Sequence, residues 1–245
     1  VNHMRALQEK GFTFDDIERA SASLAQSIMA NRNTRWNVRM CQACESFAGC
    51  SVKALGYGSL NSPLMIVNER ASADDILWGQ SLVGTEGFLL ALMLDKLGVD
   101  MSMVYVTSLI KCYKDGITAG VDEAENCVVH LAQEIDAIKP AVVLTFGQLV
   151  PSILFGNPDF RLTSPPRSRE DRQRYVDENW RQYSRFLLRP SYSLRSILET
   201  EGERQMLAKQ TIWLDLRAAL TKAQELRPEY SYRVIRDYSL APAAS

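Results

Sequence analysis

Four cysteines constrain what this chain can fold into more than any other feature. Cys41 and Cys44 form a C-x-x-C pair, Cys112 lies in the run Leu109-Ile110-Lys111-Cys112-Tyr113, and Cys127 follows on a later segment. A pair and two distant singles suit one metal centre assembled from separate segments, so the fold has to bring those segments to one point. Four thiolates commonly hold an iron–sulfur cluster, and four ligands also complete a tetrahedral zinc site. Ligand count alone leaves iron and zinc both open. The competing reading is that unpaired cysteines are small buried hydrophobes. Cys50, close behind the first pair, reads as a spare buried thiol.

Composition narrows the setting. An apolar share of 46% in 245 residues is enough for a sizeable core. No stretch reaches the length and apolarity of a membrane span, and no secretory pattern opens the chain. The run Val1-Asn2-His3-Met4 reads as a tag remnant ahead of a native start at Met4. The expected setting is therefore cytoplasmic and reducing, where metal binding is favoured over disulfides. Net charge is −1, so nucleic-acid binding has to come from a local patch. Residues 161–195 supply one: nine arginines against four acids and no lysine, interleaved with Tyr175, Trp180, Tyr183 and Tyr192. Arginine among aromatics suits phosphate contact and base stacking. A solvated helix face offset by Glu170, Asp171, Asp177 and Glu178 is the plainer alternative.

Hydrophobic patterning sets the order of elements. A helix is expected from Phe12 to Asn31, with acids in its first turn. Apolar runs at Leu64–Val67, Met103–Ile110, Ala141–Phe146 and Arg185–Leu188 read as strands. Helical periods cover Gly87–Leu97, Asp122–Ile138 and Gln205–Leu226, with a further helix through Leu154. Strands alternating with helices imply a parallel sheet covered on both faces. The expected fold class is α/β, a three-layer sandwich around a central, mainly parallel four-stranded sheet. Residues 1–40 are expected to be a helical extension, 41–226 the main domain, and 227–245 a poorly ordered tail. Ligands of such sheets bind outside the carboxyl ends of the strands, which here places Glu69, Ser108 and Arg189-Pro190-Ser191 at one crevice.

From Cys41 to about Leu220 the chain resembles the iron–sulfur uracil-DNA glycosylases of family 4. Pro63 to Ser72 occupies the place of that family's M-x-V-G-E-A-P-G motif, and Gly79-Gln80-Ser81-Leu82-Val83-Gly84 that of G-x-P-F-V-G. The run Val104 to Cys112 is similar to V-Y-I-T-N-x-x-K-C, and Pro140 to Gly147 to P-x-x-I-x-x-L-G. Arg189-Pro190-Ser191-Tyr192-Ser193-Leu194-Arg195 resembles H-P-S-Y-L-L-R, and Trp213-Leu214-Asp215-Leu216 a closing helix. The resemblance implies a [4Fe-4S] cluster on Cys41, Cys44, Cys112 and Cys127, with zinc as the alternative. It also implies DNA as the partner, and a monomer that extrudes a base.

The reactive positions depart from the family. Glu69 keeps the acid that holds the attacking water. Leu82 stands for the stacking Phe, Ser108 for the Asn that reads the base edge, and Arg189 for the His at the base carbonyl. Leucine has no π-face, serine carries one rotatable hydroxyl in place of an amide, and arginine is a permanent cation suited to an anionic group. The motif's glycine character is lost at Asn68, Ala71 and Ser72. The catalytic set expected is Glu69, Ser108 and Arg189; Asn68, Arg70, Leu82, Ser191 and Arg195 are expected to touch substrate. Asp74 and Asp75 are reserve acids or caps, and His130 reads as structural.

These changes point away from ordinary uracil excision. The leading expectation is an enzyme acting on a flipped non-standard or modified pyrimidine. A transferase is the second reading, with an amine displacing an activated 5-hydroxymethyl group of a hypermodified thymine and Arg189 facing a pyrophosphate leaving group. A DNA-binding module without turnover is the third.

Overall fold

Leu64 and Ile66 turn to one face of a sheet while Met65 and Val67 turn to the other, and this alternation builds two cores around one layer. The computed structural model describes residues 2–30, 37–44, 50–113 and 120–232. Its strands are β1 (Tyr57–Gly58), β2 (Leu64–Arg70), β3 (Tyr105–Ile110), β4 (Val142–Phe146), β5 (Arg181–Tyr183) and β6 (Phe186–Ser191). They form one six-stranded sheet in the order β1-β3-β2-β4-β6-β5. The four central strands run parallel, and β1 and β5 add antiparallel edges.

The expected four strands are therefore the middle of a wider sheet. The edge strands escaped the sequence reading because two or three residues carry no usable period. The last expected strand is also displaced: β6 runs to Ser191, so Arg189 lies inside it and not in the loop beyond.

Helices α1 (Asn2–Glu9), α2 (Phe14–Ala30), α3 (Ala73–Trp78), α4 (Thr85–Lys96), α5 (Val121–Ile138), α6 (Leu149–Phe155), α7 (Arg169–Glu178), α8 (Arg195–Glu199) and α9 (Gly202–Leu226) complete the fold. Leu7, Ile17, Leu24, Leu90, Leu94, Ile212, Leu216 and Leu220 share the core that Leu64, Ile66, Val106 and Leu144 face. Leu131, Ile135, Val150 and Ile138 share the opposite one with Met65, Val67, Tyr105 and Val143. Helix–sheet–helix layering is thus met. The N-terminal helices belong to the first of these cores.

Local chemistry sets the element ends nearest the site. Ser72 and Asp75 make a capping box on α3, each side chain taking the other's backbone N–H. Asp75 also accepts the Val83 N–H at 2.8 Å, so the reserve acid acts as a clamp on the following loop. Glu123 caps α5 by accepting Gly120 N–H at 2.8 Å. The segment expected to be a loose tail is packed at its start: Tyr232 is buried, its hydroxyl 3.1 Å from Ser62 Oγ, and Tyr230 donates to the Met103 carbonyl at 2.8 Å. Residues 233–245 lie outside the described residues. Among the described residues no helix is long and apolar enough to cross a membrane.

Candidate functional site

The carboxyl ends of β2, β4 and β6 open onto a cleft of about 440 Å³. Its wall includes Asn68, Glu69 and Arg70 from β2, Gln148 and Leu149 after β4, Ser193 and Arg195 after β6, Glu86 from α4, and Gly120 and Val121 at the start of α5. The crossover rule for parallel sheets places a ligand site here.

Glu69 is a carboxylate of the wall held by backbone. Its Oε1 accepts the Leu149 N–H at 2.7 Å, so it caps the first turn of α6. Gly147, with φ 89°, leaves room for it; a Cβ there would overlap the carboxyl group and would also be strained. The Gly147 N–H is bound to the Ser191 carbonyl at 2.9 Å, tying the turn to β6. Burial raises the Glu69 pKa above the ordinary value for a glutamate, with Glu86 adding to the rise. The N–H groups of Leu149 and Gln148 and the Arg70 charge hold it back.

A second polar group crosses the cleft. Arg195 Nε donates to Glu86 Oε1 at 3.0 Å, and its Nη2 stands 2.9 Å from the same oxygen. Asn68 Nδ2 reaches the Arg70 carbonyl at 3.1 Å and Glu86 Oε2 at 3.4 Å. Glu86 and Arg195 also border a smaller hollow of about 230 Å³, walled by Leu82, Asp74 and Asp75.

The expected site residues therefore divide. Asn68, Glu69, Arg70 and Arg195 share the main cleft, and Leu82 lies on the adjoining hollow. Ser108 is paired in register with Asn68 but is fully buried, its hydroxyl without a hydrogen-bond partner among the described residues. Ser191 is buried too. Arg189 is not in the cleft. Its Nε binds Asp215 Oδ1 at 2.8 Å, its Nη1 donates to the Val176 carbonyl at 2.6 Å, and its guanidinium lies over the Tyr175 and Trp180 rings.

Sequence reasoning missed Glu86, Gln148, Leu149 and Phe160 at this wall. Glu86 had a visible signal, an acid in the first turn of a helix. Phe160 had none, because it sits in an irregular turn.

The cysteines gather at the outer side of β3 and α5. Burial is the main influence on Cys112, whose thiol is pushed up to about 12, with Cys50 and Cys127 adding to the rise. Cys127 is raised by burial and by neighbouring Cys41 and Cys44, while Lys111 lowers it. Cys112 thus lies near Cys50 and Cys127, and Cys127 near Cys41 and Cys44. Among the described residues no three His, Cys, Asp or Glu side chains close on a single point as metal ligands. Residues 45–49, between Cys44 and Cys50, lie outside the described residues. Cys50 Sγ donates to the Val52 carbonyl at 2.9 Å. Beside the thiols, Lys111 Nζ is buried against Glu134 Oε2 at 2.7 Å, and Thr107 donates to the same oxygen at 2.8 Å. His130 is buried next to them; burial, then the Lys111 charge, lowers its pKa and favours the neutral ring.

Of the arginine-rich stretch, α7 carries Arg169, Arg172 and Arg174, while the residues around it leave Arg161, Arg167 and Arg185 exposed. Arg174 and Arg185 pair with Asp171 and Asp136 at the surface, where such pairs hold weakly.

Comparison with known proteins agrees with this architecture. The Type-4 uracil-DNA glycosylase of Archaeoglobus fulgidus is 27% identical over 144 residues, 58% of this chain and 71% of that protein. Its namesake from Saccharolobus solfataricus is 27% identical over 129 residues, 52% of this chain and 60% of its own length. The Type-4 enzyme of Pyrobaculum aerophilum is 30% identical over 111 residues, 45% of this chain and 57% of its own. The family model described as the uracil DNA glycosylase superfamily matches residues 55–217, from the sheet's first edge to the final helix, and the chain belongs to that superfamily.

Proposed function

We propose that this protein binds DNA and processes a non-standard or modified pyrimidine extruded into the cleft of Glu69, with hydrolysis of the glycosidic bond as the reaction. The observation that carries the reading is Glu69 itself. It is a half-buried carboxylate, fixed by backbone N–H groups and raised in pKa, at a cleft where three parallel strands end. A base held there would leave C1′ of its sugar open to water. Glu69 orients that water and takes its proton as the new C1′–O bond forms and the bond from C1′ to the base nitrogen breaks. The base leaves with the bonding electrons. Arg70 and Arg195, which line the cleft, would offset its charge, whereas Arg189 is buried on Asp215 away from the cleft. Asn68 and Gln148 offer side-chain amides for the base edge. The exposed arginines around α7 suit the phosphates.

The proposal includes a [4Fe-4S] cluster on Cys41, Cys44, Cys112 and Cys127, supported by the nearness of Cys127 to the other three thiols and by the relatives' Type-4 designation. Cys50, whose Sγ meets the Val52 carbonyl, is left out of the set. When bound, the cluster supplies cross-linking between the Cys41 segment, β3 and α5. A four-thiolate zinc is the alternative occupant.

The transferase reading has one observation in its favour: two carboxylates, Glu69 and Glu86, and two guanidiniums, Arg70 and Arg195, line the same cleft. Carboxylates suit an incoming amine and guanidiniums a pyrophosphate leaving group.

One experiment separates these. DNAs carrying different modified pyrimidines, with and without added amines, are incubated with the protein, and the nucleosides and free bases are identified by mass spectrometry. Free-base release lost in Glu69→Gln, with DNA binding retained, supports hydrolysis. An amine adduct without free base supports transfer. Base release at an unchanged rate in Glu69→Gln overturns the assignment of Glu69. Salt-dependent binding with no product on any base marks a module without turnover.

A further inference from the structure

A base drawn into a pocket is held by stacking as well as by hydrogen bonds to its edge, and Leu82 offers no π-face. Among the residues of the cleft wall one aromatic side chain is present, Phe160. It retains 8% of its surface and lines the same cleft as Glu69. Its ring runs parallel to that of Phe155, 5° between planes and 6.1 Å between centroids. Phe155 meets the edge of Tyr183 at 5.3 Å, and Tyr183 packs on Phe186 of β6 at 5.1 Å. Phe160 is therefore the cleft-side end of an aromatic column anchored on the sheet.

The turn that presents it is fixed by its own hydrogen bonds. Ser152 Oγ donates to the Asn157 carbonyl at 2.8 Å, the Asp159 N–H to Asn157 Oδ1 at 3.0 Å, and the Phe160 N–H to the Asn157 carbonyl at 3.1 Å. Arg161 follows directly, its side chain 68% exposed and one nitrogen on the Phe160 carbonyl at 3.0 Å. Its link to Asp159 spans 3.9 Å between two exposed groups and holds it weakly.

We infer that Phe160 is the stacking platform for the extruded base, a specificity-determining residue drawn from the α6–α7 connection in place of the position held by Leu82. With one face backed by Phe155, the other receives the base, and Arg161 stands at the rim for the flanking phosphate. The inference rests on the reading that a base enters this cleft.

The test uses the full-length protein and two duplex oligonucleotides of equal sequence. One carries a single pyrrolo-deoxycytidine as a fluorescent pyrimidine, the other a tetrahydrofuran abasic residue at the same position. Phe160→Leu keeps the apolar volume and removes the π-face; Phe160→Tyr keeps the face. Wild type and Phe160→Tyr are expected to bind the base-bearing DNA more tightly than the abasic one and to quench its fluorescence. Phe160→Leu is expected to lose about tenfold on the base-bearing DNA alone. Equal preference in Phe160→Leu and wild type overturns the role of Phe160 while leaving the base-binding reading intact. An equal loss on both DNAs marks a structural residue and overturns it as well. A wild type with no preference for the base overturns the reading beneath both.

Discussion

Arg189 sits with no exposed surface in the interior between β6, α7 and α9. Burial pushes the Asp215 carboxyl up, and the Arg189 charge pulls it back towards ionisation. Removing one partner of such a pair leaves an uncompensated charge in the interior. Arg189→Ala is therefore expected to lower stability by about 3–5 kcal/mol, read as a shift in the urea midpoint. Replacing both partners, Arg189→Met with Asp215→Leu, is expected to recover most of that loss, because neither charge remains to be desolvated. A variant that loses turnover at an unchanged urea midpoint would return Arg189 to the chemistry. The sequence could not display this role. An arginine ahead of Pro190-Ser191 looks like a phosphate ligand until its carboxylate partner, 26 residues away on α9, is brought beside it. Glu69 was legible from its place at a strand end, and Asn68, Arg70 and Arg195 from runs that resemble the family's motifs. Phe160 and Glu86 reach the cleft only through packing of distant segments.

At the scale of elements, α2 is fastened to α4 by an ionic clamp. Asp16 receives Lys96 Nζ at 2.6 Å and Arg19 Nη2 at 2.8 Å, and Ser23 Oγ accepts the Met101 N–H at 3.0 Å. Burial pushes the Asp16 carboxyl up, but the bonds from Lys96 and Thr13 more than offset that and leave it at about 2. Its folded pKa is thus below the unfolded one. The stabilisation is present above the ordinary aspartate range and fades as pH falls through about 4 towards about 2, a contribution of about 1–2 kcal/mol. Asp16→Asn is expected to melt lower than wild type at about pH 6 and to match it at about pH 2. A gap that persists in acid would show that the clamp works by packing instead. The helices on either side of this clamp could be read from their periods. Helix α7 could not: seven of its ten residues are charged, Tyr175 is its one buried side chain, and no apolar stripe marks a face. Edge strands β1 and β5 borrow their geometry from neighbours and have too few residues to show alternation.

Across the whole molecule the cysteine corner and the cleft share two elements. Helix α5 starts at the cleft wall with Gly120 and Val121 and carries Cys127 further along. Strand β3 places Ser108 opposite Asn68 and leads directly to Cys112. The same two elements are riveted inside by Lys111 and Glu134. A centre that links the Cys41 segment to both would hold the cleft wall in place without touching substrate. Cys112→Ser is expected to abolish the visible absorption of anaerobically purified protein, lower its melting temperature and weaken DNA binding together. Cys50→Ser is expected to leave all three near wild type, since its thiol is spent on the Val52 carbonyl. Metal analysis of the wild type distinguishes the occupants: iron with a broad band at the blue edge of the visible supports the cluster, and stoichiometric zinc in a colourless protein supports the other four-thiolate site. A Cys112→Ser protein that keeps its colour and its melting temperature would show that the thiols serve the core alone. The cleft wall would then depend on the Lys111–Glu134 pair and the apolar packing of α5 for its shape.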